Sequence, residues 1–234
     1  TNLLGIIAAM TGDYSEAVKL FQEGLTIFKK LGDLWWISKA RENLGSVANL
    51  RGNYPEALAL YEESLVTFRR INDQNGVASC LLNMGIMAYA MGEYQRSVDL
   101  LLESQENLRE IGVLWSIVLC LNHLGKAELA LGDHEKADEY FRTAFKTSVD
   151  IGAITFSLQV LVGMANLFLA EGNPQSALEY LALALSHPSC DQETRDQAEE
   201  LLDKLEQHIP PTVIEKAREA MKDNYLKKLI LIAE

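Results

Sequence analysis

Chemistry in this chain would have to come from its histidines, cysteines and carboxylates, and their spacing argues against it. His123, His134, His187 and His208 fall at unrelated places, none with an i, i+4 partner of the kind that ligates zinc. Cys120 and His123, one helical turn apart, come nearest to a nucleophile with its base, but they read as a buried thiol beside a surface imidazole. The repeated glycines end helices instead of following a strand and opening one, so they build no phosphate cradle. Carboxylates follow solvated faces and helix caps. The expectation is a chain with no catalytic residue, no metal ligand set and no cofactor.

What the spacing does contain is a strict beat. One phrase recurs every 40 residues: Gly12-Asp13-Tyr14, Gly52-Asn53-Tyr54, Gly92-Glu93-Tyr94, Gly132-Asp133-His134 and Gly172-Asn173-Pro174, with Ala17, Ala57, Ser97, Ala137 and Ala177 closing each copy. A period between about 20 and 50 residues marks repeats that bury their apolar faces against their neighbours. Such stacks make long binding surfaces rather than catalytic pockets.

Each repeat divides into two amphipathic helices. In the second repeat, helix A is expected over roughly 34–51 and helix B over roughly 54–70, where Ala57, Leu60, Tyr61, Leu65 and Phe68 recur at helical spacing. Gly12, Gly52, Gly92, Gly132 and Gly172 stand where helix A must stop in a left-handed residue. The Asp or Asn that follows can cap helix B, with capping-box spacing at Asp13/Glu16 and Asn53/Glu56; Glu93 is a weaker cap, and Pro174 suits a first turn. A second stop ends helix B at Gly32, Asn72, Gly112 and Gly152, each after a Leu or Ile. Gly5, Gly45, Gly85 and Gly125 lie within helix A, at about 1 kcal/mol each relative to alanine. Opposite Ala17, Ala57, Ser97 and Ala137 they predict small-against-small contact between A and B.

The bulk properties narrow the partners. The 234 residues are 48% hydrophobic and carry a net charge of −12, with a pI near 4.8. That charge disfavours direct contact with nucleic acid and with anionic membranes. No apolar run nears the roughly 18 residues a spanning helix needs; the longest, Leu229 to Ala233, is far shorter. Cys80, Cys120 and Cys190 suggest a reducing compartment, the cytoplasm, with Cys80 and Cys120 as core residues too far apart to pair. Thr1-Asn2-Leu3-Leu4-Gly5 aligns with the interior of helix A at Arg41–Gly45, so a piece of a longer protein is expected.

At Leu44-Gly45, Gly52-Asn53-Tyr54, Ala57 and Tyr61 the pattern resembles the tetratricopeptide repeat. The period is 40 instead of 34, and the opening tryptophan and closing proline of that family are missing. The resemblance implies an all-α fold: a right-handed α-solenoid of helix-turn-helix repeats over residues 1–187, one partial and four complete, followed by C-terminal capping helices over 188–234. Units of this length are similar to the sensor regions of bacterial STAND-type regulators and their LuxR- or SARP-type relatives, and to Pins-type adaptors. The break at His187-Pro188-Ser189 and the helix expected over about 192–207 resemble the segment that closes the repeats in the bacterial group. A last helix is expected around Leu226 to Ile232, or else a dimerisation strip.

The same resemblance places the binding face on helix A, as a concave groove. Its positions here are Glu42, Ser46 and Asn49; Leu82, Ile86 and Tyr89; Asn122, Lys126 and Leu129; and Val162, Asn166 and Leu169. The family's clamp for acidic C-terminal tails wants a Lys/Asn/Arg set, of which only Asn122, Lys126 and Asn166 are present. The apolar centre at Leu82, Ile86, Tyr89 and Leu129 suits a protein or peptide segment such as an amphipathic helix, or it packs between repeats. Trp35 and Trp115, equivalent in position two repeats apart, are expected in the core. The functions implied are recognition within a larger bacterial regulator, with upstream domains of the same chain as further partners, a stand-alone adaptor, or a small-molecule sensor.

Overall fold

The left-handed stops are where the sequence commits the chain. A computed structural model describes residues 2–206 and Ile209. In it Gly12, Gly32, Gly52, Gly92, Gly112, Gly132, Gly152 and Gly172 have φ between 68° and 85°, and Asn72 has φ 56°. All nine expected stops are therefore left-handed. After each of them except Gly112, the next backbone N–H reaches back to a carbonyl of the finished helix; that of Asn53, for example, donates to Ala48 at 2.9 Å.

Eleven α-helices result among the described residues, with no strand. The chain divides into two compact units, residues 1–112 and 113–234. The first unit holds α1 (Asn2–Met10), α2 (Tyr14–Leu31), α3 (Leu34–Leu50), α4 (Tyr54–Arg70), α5 (Gln74–Ala90) and α6 (Tyr94–Ile111). The second holds α7 (Leu114–Leu131), α8 (His134–Asp150), α9 (Ile154–Ala170), α10 (Pro174–Ser186) and α11 (Gln192–Glu206). Odd-numbered helices α1 to α9 are the A helices and even-numbered ones the B helices. Within each unit, consecutive helices pack chiefly on one another, as hairpins must when a repeat is closed by its neighbours. The expected helix around Leu226 to Ile232 lies outside the described residues.

The caps follow the sequence with two substitutions of partner. Asp13, Asp133 and Asn173 each accept a hydrogen bond from the backbone N–H three residues on, at 3.1 to 3.2 Å. Asn53 instead turns its amide to the Glu56 carboxylate at 2.6 Å, and Glu93 takes Arg96 as an ion-pair partner at 2.8 Å. Asp33, unremarked in the sequence, caps α3 through Trp36 N–H.

The glycines within the A helices do mark close approach, but against large residues. A methyl group on Gly45 would sit 2.9 Å from the Tyr61 ring, on Gly125 2.7 Å from Phe141, and on Gly85 2.7 Å from Leu101. The expected small-against-small pair is thus an empty slot on helix A filled by the bulky side chain one turn beyond the alanine of helix B. Tyr61, Phe141 and Leu101 are accordingly sealed from solvent. Phe141 is gripped twice, because a methyl on Gly163 would lie 2.5 Å from the same ring.

Candidate functional site

The four triplets expected to line the A-helix face divide by depth. Their first members, Glu42, Leu82, Asn122 and Val162, are all buried. The rest are half-buried except Asn166, which is exposed. An A helix touches a neighbouring helix on more than one side, so the first position of each triplet points into the stack.

Glu42 shows what that burial does. Its carboxylate holds Lys39 at 2.8 Å and accepts the Ser79 hydroxyl of α5, so the charge is consumed in joining α3 to α5. Burial, with a smaller push from the same carboxylate, raises the Tyr61 phenol to about 12 and keeps the Cys80 thiol protonated. Tyr61 donates to Ser46 at 3.2 Å, and Ser46 in turn donates to the Glu42 carbonyl at 3.1 Å. Cys80 and Cys120 are both fully buried.

Open between two A helices of the first unit is a socket. It has a cavity of about 210 Å³ lined by Ile6, Ala9 and Met10 of α1 and by Asn43, Ser46, Val47 and Leu50 of α3, with Phe21 of α2 as its floor. Asn43 is already tied across the pair, donating to Asn2 at 2.9 Å. Met10 and Leu50 stand 81% and 57% exposed at the rim. Sequence reasoning named Ser46 but not the socket, because the groove positions were read from the complete repeats and α1 belongs to the partial one. The half-buried Ile86 and Tyr89 belong to the next A helix, where Tyr89 leans on Tyr94 with ring centres 5.5 Å apart. A larger cavity of about 350 Å³ opens between the B helices α2 and α4, with Leu44 and Ala48 of α3 among its walls and Arg51 at its edge.

On the second unit the chain covers part of its own A-helix face. Asp191 caps α11 through Thr194 N–H at 2.7 Å and accepts from Gln159 of α9 at 3.3 Å. So anchored, α11 brings Gln197 over α7, where Lys126 donates to its Oε1 at 3.4 Å. Burial lowers the pKa of the Lys126 ammonium, and Glu193 offsets that only in part. Nearby polar groups are left unmatched: Asn122 Oδ1 and Thr194 Oγ1 are sealed without a hydrogen-bond partner. His123 is half-buried as a residue, yet its Nδ1 is sealed and unpartnered, and burial pushes its pKa down to about 3. The imidazole is therefore neutral near pH 7, one turn from a thiol that no substrate can reach. Leu129 stays half-buried and Asn166 open. Among the described residues no group of His, Cys, Asp and Glu could hold a metal ion, and no helix is long and apolar enough to cross a membrane.

The tryptophans depart from expectation. Trp35 is 40% and Trp115 52% exposed, so neither is a core residue. In the first unit the rings form a ladder: Phe28 stacks on Trp36 at 5.2 Å, Trp36 meets Trp35 edge-on at 4.6 Å, and the Trp35 indole donates to Asp73 at 2.7 Å.

Comparison with known proteins agrees with this architecture. Tetratricopeptide repeat models match residues 36–110 and 119–148, so these stretches are tetratricopeptide repeats. No curated protein sequence matches the chain. A Rap protein crystallised with competence and sporulation factor superposes with a TM-score of 0.70 at 13% identity, over 99% of this chain and 75% of that one. BtubC (BKLC) from P. vanneervenii gives 0.67 at 13% identity, over 94% and 90%. The Rap conjugation gene regulator of the plasmid pLS20, in complex with the Phr* peptide, gives 0.62 at 13% identity, over 98% and 73%. Likenesses this distant in sequence show the all-α repeat solenoid fold.

Proposed function

We propose that this array of tetratricopeptide repeats recognises a protein or peptide segment through its A-helix face. The observation that carries the reading is the socket between α1 and α3. Its apolar wall, solvent-facing mouth and volume of about 210 Å³ suit one aliphatic or aromatic side chain of a bound segment. Ser46 and Asn43 supply polar groups at its edge, and Asn49, Ile86 and Tyr89 continue the half-buried strip on α3 and α5. Two of the structures that share the fold hold a peptide or factor in their complexes, which supports a segment as the ligand class. On the second unit, taken by itself, Leu129 and Asn166 are the A-helix positions left to such a segment, beside Lys126 under α11.

The finer reading is a sensor array of a bacterial STAND-, LuxR- or SARP-type regulator, passing the binding event to other domains of the same chain. It rests on the 40-residue period and on the resemblance of the break at His187-Pro188-Ser189 and the helix expected over about 192–207. The test starts from a peptide display library selected on the intact protein. Met10→Glu with Leu50→Glu places two charges on the rim, at positions already exposed. Selected peptides should lose binding at least about tenfold while helicity stays unchanged. Undiminished binding to the double variant removes the socket from the site. The pair Ile86→Glu and Tyr89→Ala then tells whether the strip on α5 acts alone.

A further inference from the structure

The turn edge that carries the tryptophan ladder lies apart from the A-helix socket. Trp35 stands in the first turn of α3 and Leu50 at its end, about 20 Å along the axis. Around the ladder, Ile27, Leu31, Leu34, Trp35 and Trp36 are between 37% and 72% exposed. The rings are held in place by stacking and by the indole bond to Asp73, so a partner meets them already ordered.

The charge beside these rings has the opposite sign to the chain. Residues 27–36 and 67–75 contain Lys29, Lys30, Arg69 and Arg70 against two carboxylates, Asp33 and Asp73, in a molecule of net charge −12. Both carboxylates are committed, Asp33 to capping α3 and Asp73 to the Trp35 indole. Arg69 is paired with Glu103. Among the described residues Lys29, Lys30 and Arg70 have no ion-pair partner. Their place in the last turns of α2 and α4 favours the helix dipole, but it explains neither the surplus of positive charge nor two open tryptophans beside it. The equivalent stretches around Trp115, residues 107–116 and 147–155, contain one cation, Arg109, against Glu110 and Asp150, and α8 ends without a basic residue.

We propose that the α2–α3 edge of the first unit is a second docking surface, for an acidic protein segment with an aromatic or aliphatic anchor residue. The anchor lies against Trp35 and Trp36, and its flanking carboxylates meet Lys29, Lys30 and Arg70. The proposal is independent of the A-helix socket, because it uses none of the socket's residues. Tryptophan and arginine are among the side chains that concentrate binding energy at protein interfaces, and the two lysines add the charge that steers an acidic segment to them.

The test uses the full chain with Trp115→Phe, so that emission reports Trp35 and Trp36 alone. The probe is a short synthetic peptide of Asp and Glu flanking a Leu-Phe pair, with two controls: carboxylates changed to amides, and the Leu-Phe pair changed to Ser-Ser. The acidic, anchored peptide should bind saturably with a change in tryptophan emission, and both controls should bind at least about tenfold more weakly. K29E/K30E/R70E should weaken binding by at least about tenfold with the far-UV spectrum unchanged, and added salt should weaken it in the intact protein. M10E/L50E should leave it untouched. Equal binding of the amide peptide, or binding that survives K29E/K30E/R70E, overturns the proposal. So does a shift produced by phosphatidylserine vesicles but not by the peptide, which would make the edge a lipid contact. Self-association abolished by K29E/K30E/R70E overturns it too, in favour of a second copy as the occupant.

Discussion

Asn53 and Asn173 occupy the same place in different repeats and do different work. Asn173 receives Ser176 N–H and closes the first turn of α10, whereas Asn53 spends its amide on Glu56. Replacing a side chain that caps costs about 1 kcal/mol, because an N–H loses its partner. Asn173→Ala should therefore lower the urea midpoint measurably, and Asn53→Ala distinctly less, since no backbone donor depends on it. Gly163 is the sharper case. Phe141 is held between Gly125 and Gly163 and has no free side to move into. Gly163→Ala should destabilise the protein by about 1 to 3 kcal/mol as an overpacked contact, seen as a shift in urea midpoint without change in slope. Gly172→Ala is strained for a different reason, a φ of 75° with open space around the missing Cβ.

Among elements, α11 and α7 carry the least comfortable contact. Burial lowers the Lys126 pKa from an ordinary 10.5. The unfolded chain thus holds that proton to higher pH than the folded one, and keeping the charge under α11 costs stability at neutral pH. The cost fades as pH rises through the folded pKa towards 10.5. Lys126→Met should raise the urea midpoint at pH 7, with an advantage that shrinks as the buffer approaches pH 10.5. An advantage that grows with pH would mean that the ammonium is stabilised where it lies. The helices and their ends were legible in the sequence because a left-handed glycine or a cap is chemistry of four or five adjacent residues. The proposed binding face was legible only in part. Periodicity marks Glu42, Leu82 and Asn122 as one stripe, but whether a stripe meets solvent or the next helix depends on residues some forty positions away. Gln197 covers Lys126 from 71 positions along, a distance over which no local pattern speaks. The tryptophans misled for a related reason: large rings favour burial on average, yet among the described residues Trp35 stays 40% exposed.

At the scale of the whole molecule, acid is the condition to examine. The net charge of −12 falls to zero near pH 4.8, where solubility should be least. Stability should fall over an overlapping range for a separate reason. His123 is buried neutral with its pKa pushed down to about 3, while the unfolded chain takes up that proton near 6.5. Stability is therefore lost as pH falls from 6.5 towards 3. His123→Gln should flatten that part of the pH profile of the urea midpoint, while the carboxylate contributions remain in both proteins. If the two profiles run parallel, the imidazole is more open to water than its sealed Nδ1 suggests. Another consequence lies in the paired stops themselves. Every forty residues carry one complete set of turn signals, so a copying event that duplicates or drops a whole unit passes on a chain whose helices still end where they should. A one-residue insertion within α4, by contrast, rotates everything beyond it by about 100° and turns Phe68 away from its slot over Gly76. Such a gene can change its length in steps of one repeat, gaining or losing binding surface, while its ancestry stays visible as an unbroken count of forty.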